Sequence, residues 1–387
     1  MKIKNIKKLG IVLATLVASA ALLVGCGKKE EEEPVILDLN VGTESTPSPE
    51  IVEEPVEEEE EVYEEFKEGM YRSELTNEWI DEGLKNQRPV AVMVDNEITA
   101  WDHYGVNQGD IVYELMNSTA NGRITRLMVI IKDWKNIERL GSIRSTRPTN
   151  VVTSWEYNAI LIHDGGPFYI NDYIANNRTS HLSGGFARYS NGKATEFTEY
   201  VTYNDYNNPT TGKSFDGLQD RITNSKISEE YTENYMGRHF AFAKGKNETL
   251  KSTGKDVTEI ALPFDHTSSK LKYNSEKKKY EYYAYGKAHI DPMDDNNITC
   301  FENVILLKMN FHRYDEHGYM TYLTSDHSEN TGYYISEGKC IPIKYYKGSD
   351  TEMLTIAYED GTELELNTGK TYISYIPSDT WTDLELK

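Results

Sequence analysis

Gly141-Ser142-Ile143-Arg144-Ser145-Thr146-Arg147-Pro148 places two guanidiniums and the hydroxyls of Ser145 and Thr146 where a strand end feeds a helix start. Free amide donors and the dipole at such a helix terminus favour an anion, and Arg144 and Arg147 can grip a carboxylate or phosphate through paired hydrogen bonds. Arg126, in Arg123-Ile124-Thr125-Arg126, brings a further guanidinium to the same rim. The competing reading makes Ser145 or Thr146 a helix cap and pairs the arginines with Glu114, Asp110 or Asp164. A second candidate loop is His163-Asp164-Gly165-Gly166-Pro167, in which Gly165 and Gly166 let backbone approach a ligand closely and His163 serves as acid, base or donor. The plainer alternative is a tight turn beside a satisfied histidine. An envelope hydrolase would use His163 as general base with Asp95 or Glu114 as acid. Against it, no nucleophile elbow accompanies Ser145. No metal-ligand spacing such as H-E-x-x-H is present, so neither metal nor cofactor is expected.

These loops need elements to hold them. Val90 to Asp95, Ile111 to Glu114, Ile124 to Ile131, Ile143 to Ser145 and Ala159 to His163 are short runs rich in β-branched residues, as in strands buried on at least one face. Pro148 and Pro167 sit where a first helical residue belongs, predicting helices over 148–157 and 167–175. A further helix is expected over 218–222. Strand, turn, helix repeated twice implies right-handed crossovers on a partly parallel sheet. The two loops then lie side by side at the strand ends, where ligands bind in open sheets. Residues 176–212 read as a long irregular excursion. Beyond residue 255, short β runs recur every dozen or so residues, and Asp360-Gly361 marks a hairpin. The 28 tyrosines, four of them between Tyr280 and Tyr285, fit half-buried sheet faces better than exposed sugar platforms. The fold class expected is α+β: an N-terminal α/β domain over 86–250 with a mixed, partly parallel sheet, then a smaller antiparallel β-rich domain over 256–387.

The chain's beginning speaks of location. Lys2, Lys4, Lys7 and Lys8 precede an apolar run from Leu9 to Val24 that ends in Leu23-Val24-Gly25-Cys26. That is a signal peptide closing on a lipobox, shorter than the roughly 20 residues a spanning helix needs. Cys26 is the expected lipidation site, placing the mature protein on the outer face of the cell membrane. From Glu30 to Glu68, seventeen acidic residues stand against Lys67 alone, so this segment carries most of the net charge of −22. With almost no aromatics it cannot offset its ordering entropy and reads as an acidic tether over 27–85. The charge balance speaks against nucleic acid as a partner. Cys300 and Cys340 are either a disulfide or two reduced thiols.

The order of these motifs resembles the YerB-like lipoproteins of Gram-positive bacteria. The resemblance rests on the lipobox, the acidic segment, Arg88 to Asn96, Asp110 to Glu114, Gly122 to Arg126, Gly141 to Pro148 and His163 to Gly166. In the carboxyl half it rests on Gly332-Tyr333-Tyr334, Gly338 to Ile343 and Leu366 to Ile373. It departs at Thr146 and Asp164, and 193–202 lack a histidine that the family pattern carries. The resemblance implies two domains and a lipid-anchored location, with palmitate on Cys26, but no established reaction. The combined expectation is a binding or regulatory protein holding an anionic cell-wall fragment or envelope protein at Arg126, Arg144, Ser145, Arg147, His163, Gly165 and Gly166.

Overall fold

The computed structural model describes residues 66–387, which form one compact unit. Cys26 and most of the acidic segment lie outside the described residues. The tether, expected to reach residue 85, gives way earlier: Met70–Arg72 pairs with Trp79–Asp81 as a hairpin, because Tyr71, Trp79 and Ile80 supply apolar surface that the glutamate runs lack.

An eleven-stranded mixed sheet dominates the molecule. Its strands in chain order are β1 (Val90–Asp95), β2 (Ile111–Met116), β3 (Thr125–Ile131), β4 (Ile160–His163), β5 (Ser180–Ser183) and β6 (Lys255–Asp256). They continue as β7 (Asn303–Met309), β8 (Thr331–Ser336), β9 (Lys339–Tyr346), β10 (Thr355–Ala357) and β11 (Thr371–Pro377). The spatial order is β6-β9-β8-β7-β11-β2-β3-β1-β4-β5, with β10 on β9. Every residue of β1, β2, β3 and β4 is buried, which is why these segments read as continuous apolar runs rather than alternating ones. Each large apolar side chain so buried contributes about 1.5–3 kcal/mol. β1 runs parallel to β4, and β4 parallel to β5. The crossover from β4 to β5 contains Phe168–Ile170 as a 3-10 turn and then the short helix α2 (Asn171–Ile174).

Three sequence expectations change. Ile143 to Ser145 is not a regular strand: Asp95 donates its amide to Ser142, Arg144 donates to Met93, and Asp164 donates to the Arg144 carbonyl. The segment is thus threaded between the ends of β1 and β4 without a ladder of its own. The excursion over 176–212 supplies β5 and the strand Glu199–Val201. Helix content is also lower than the expected label implies. Strands predominate, and the α-helices among the described residues are α1 (Pro148–Glu156), α2, α3 (Leu218–Asn224) and a short one at Glu248–Thr253.

The carboxyl half does not stand apart from the amino half. β11 pairs in parallel with β2, from Thr371 opposite Ile111 to Tyr375 opposite Leu115, so the central sheet is built from both halves. A second, six-stranded sheet, all of whose pairings are antiparallel, includes Lys270–Asn274 and Lys279–Ala284. The Asp360-Gly361 turn is present, with Tyr358 donating to the Thr362 carbonyl and Leu364 to that of Ile356. Cys300 and Cys340 are free thiols.

Candidate functional site: an arginine cluster at the strand ends

The two loops singled out in the sequence meet. Thr146 donates its amide to the Gly165 carbonyl at 3.1 Å, and Asp164 donates to Arg144 at 3.0 Å. Gly165 adopts φ +70° with open space around it, whereas a Cβ on Gly166 would stand 2.4 Å from Ile170 Cδ1 and 3.2 Å from the Thr146 carbonyl. Gly165 is therefore favoured by backbone conformation, while Gly166 sits tightly against the Ile170 side chain of its own segment and the Thr146 carbonyl of the other loop.

Three guanidiniums gather around Ser145. Arg126 Nη1 donates to the Ser145 carbonyl at 2.6 Å and to its hydroxyl at 2.9 Å. Arg147 Nη1 donates to the same hydroxyl at 3.1 Å and to the Thr146 carbonyl at 2.8 Å, while its Nε reaches the Asn117 carbonyl. With two donors on its oxygen, Ser145 is a hub for the arginines rather than an activated nucleophile. Arg144 is committed differently, to buried Asp95 at 2.6 Å and to Glu196 at 3.3 Å. This is none of the three expected ion pairings: Asp110 binds the Lys132 amide, Asp164 pairs with Arg188, and Glu114 is bonded by Asn96 and hydroxyls. Arg147 occupies the position before helix α1, and its side chain caps nothing.

Arg126 and Arg147 are the unusual pair. They are 7 % and 6 % exposed, and among the described residues neither has a carboxylate within ion-pair distance. Burial lowers Arg126 to about 10 and Arg147 to about 9; neighbouring arginines add to the shift, while the Asp95 carboxylate opposes it at Arg126. Arg88 shows what a purely structural buried arginine looks like here, since its Nε, Nη1 and Nη2 all end on carbonyls. In contrast, Arg126 uses Nη1 alone and its buried Nε has no partner, while Nη2 of both Arg126 and Arg147 makes no hydrogen bond among the described residues and reaches solvent, where a ligand can meet it. Buried cations so under-satisfied cost free energy unless an anion completes them.

His163 is buried and both ring nitrogens are used. Nδ1 lies 2.8 Å from the Gly165 carbonyl, which only accepts, so Nδ1 carries the proton. Nε2, 3.1 Å from His181 Nδ1, must then accept. Burial lowers His163 to about 4, the state of a neutral ring spent on holding the glycine loop to strand β5. Glu114 is fully buried elsewhere. Its carboxylate accepts from Thr125, Ser269, Tyr282, Tyr372 and Asn96, and no hydrogen bond joins it to His163. Asp95, Asn96 and Glu114, at the ends of β1 and β2, accordingly belong to an enclosed polar layer rather than an open rim. Sequence reasoning missed His181, Glu196, Asn117 and Tyr319, which come from remote segments with no spacing to announce them. Among the described residues no group of three or more His, Cys, Asp or Glu is placed to hold a metal. A surface cleft of about 710 Å3, lined by Asn86, Gln87 and Lys135 among others, lies away from the arginines and gathers no comparable chemistry.

Fold and site together define a sheet-dominated chain whose halves share one mixed sheet and whose amino half carries arginines at the strand ends. Two family models match: Protein of unknown function (DUF3048) N-terminal domain over residues 75–226, and the C-terminal domain of the same description over 260–373. "Putative lipoprotein YerB" of Bacillus subtilis is 22 % identical over 311 residues, covering 79 % of this chain and 86 % of that protein. The crystal structure of YerB from Bacillus subtilis superposes with a TM-score of 0.66 at 18 % identity, covering 82 % of this chain and 99 % of that one. The chain belongs to the YerB-like family of bacterial lipoproteins, a two-domain family of unknown function. No helix among the described residues is long and apolar enough to cross a membrane.

Proposed function

We propose that this lipoprotein is anchored through lipidated Cys26 on the outer face of the cell membrane and binds an anionic ligand at Arg126 and Arg147. Arg144, Ser145, Gly165 and Gly166 shape the site, and His163 ties the glycine loop to the neighbouring strand through His181. One observation carries the reading: two buried guanidiniums lack any carboxylate partner and keep donors free. A carboxylate or phosphate supplies the missing charge and can accept from both Nη2 atoms. Ligands of this chemistry outside the membrane include cell-wall fragments, among them muropeptides and phosphate-linked polyols, and acidic groups on envelope proteins. The hydrolase alternative gains no support, because the His163 lone pair is already engaged and Glu114 faces the opposite half of the sequence.

Calorimetric titration with muropeptides, glycerol phosphate oligomers and inorganic phosphate tests this. Saturable binding that Arg126→Gln with Arg147→Gln weakens at least tenfold is the expected result. Equal binding by wild type and double variant would refute the assignment.

A further inference from the structure

Immediately after Gly165-Gly166-Pro167 the chain presents Phe168, 70 % exposed, followed by half-buried Tyr169. The Tyr169 ring stacks on Tyr314 at 4.1 Å and 9°, and its edge meets Tyr319 at 6.5 Å. Phe168 lies against Tyr169 at 4.0 Å. Tyr319 in turn lies beneath the Arg147 guanidinium, 4.9 Å from its carbon. Phe168, Tyr169, Tyr314 and Tyr319 therefore form a continuous aromatic wall that starts at the arginine cluster and leads away from it. The wall is contributed by two sequence halves: Ser118 bridges Tyr319, and the Tyr169 hydroxyl donates to Asp315, which also accepts the Tyr319 amide. Asp315 thus fixes the two loops against each other, and the exposure of Phe168 is left unexplained by packing.

The exposed Phe168 ring continues a fixed aromatic stack and offers its free face to a flat or ring-shaped apolar surface. The distances join that surface to a cluster needing an anion. Building on the anion-binding reading above, we infer that arginines and wall form one site for a glycan bearing a phosphate or carboxylate. Arg126 and Arg147 would hold the charged substituent, while a pyranose ring packs its C–H face on the exposed ring of Phe168. The body's acidic net charge argues against the alternative of a nucleic acid strand on the same surface.

The test compares inorganic phosphate, glucose 6-phosphate, glucuronate, glucose and adenosine 5′-phosphate as ligands of the full chain in competition titrations. Glucose 6-phosphate should bind at least tenfold more tightly than inorganic phosphate, glucuronate should compete with it, and glucose alone should not bind measurably. Phe168→Ala, an exposed position whose replacement leaves folding intact, should erase the advantage of the sugar phosphate while leaving inorganic phosphate binding unchanged. Equal affinities for inorganic phosphate and glucose 6-phosphate, or no effect of Phe168→Ala, would overturn the glycan site and leave the anion site standing. Adenosine 5′-phosphate binding more tightly than glucose 6-phosphate would overturn the sugar assignment. Failure of every anion to bind would overturn both readings.

Discussion

At the scale of residues, a structural and a functional arginine respond in opposite ways to removal. If Arg147 served only to brace its loop, truncation would cost stability. If it is an uncompensated buried cation, Arg147→Met removes a desolvated charge and a repulsion with Arg126, offsetting the lost bonds to Ser145 and Asn117. The ligand-free melting temperature should stay level or rise, by on the order of 1 kcal/mol of stability, while anion binding is lost; thermal melts of the two proteins decide it. His163 makes a pH prediction. Its folded-state value is depressed to about 4 by burial, below the ordinary 6.5. The unfolded chain therefore binds more protons across that window, and this group's contribution is intact above about 6.5 and lost as pH falls towards 4. His163→Gln should abolish that loss, so wild type should decline relative to the variant by up to about 1.4 kcal/mol per pH unit between those limits. Chemical denaturation at a series of pH values would show parallel curves if His163 titrated normally.

At the scale of elements, the arginine and glycine loops were legible together because strand-turn-helix units put consecutive strand ends on one edge. The regular strands read well where apolar residues were continuous, as in β1 and β3. Ile143 to Ser145 misled because β-branched character marks burial, and here burial comes from wedging between two strand ends rather than from a ladder. His181 and Glu196 escaped notice since the excursion that holds them shows no periodicity, and its strand β5 owes its place to β4. Close loop packing gives a further prediction. Gly166→Ala forces its Cβ against Ile170 and the Thr146 carbonyl, parting the two loops. A loss of about 1 kcal/mol in stability is expected, with anion binding reduced at least fivefold, both readable from melts and titrations on the same samples.

At the scale of the molecule, the two halves recognisable in sequence share a sheet and a buried polar layer. Glu114 accepts hydrogen bonds from Ser269, Tyr282 and Tyr372, all from the other half, and Tyr372 belongs to the very strand that pairs with β2. This coupling was not readable in sequence: a glutamate ending an apolar run looks like a strand terminus facing solvent, and only long-range pairing encloses it. Glu114→Ala should leave several buried hydroxyls without an acceptor and cost on the order of 3 kcal/mol, and unfolding of the wild type should be a single transition for all tryptophan and tyrosine probes. A fragment ending at residue 250 would lack β11 beside β2 and should not fold cooperatively on its own.

The central claim is that Arg126 and Arg147 await an anion, and the guanidinium resonances report it most directly. In a nitrogen-15 labelled full chain titrated with inorganic phosphate, the Nη signals of Arg126 and Arg147 should shift saturably while those of Arg88, whose nitrogens already end on carbonyls, stay fixed. Unmoved Arg126 and Arg147 signals at saturating phosphate and sugar phosphate would contradict it.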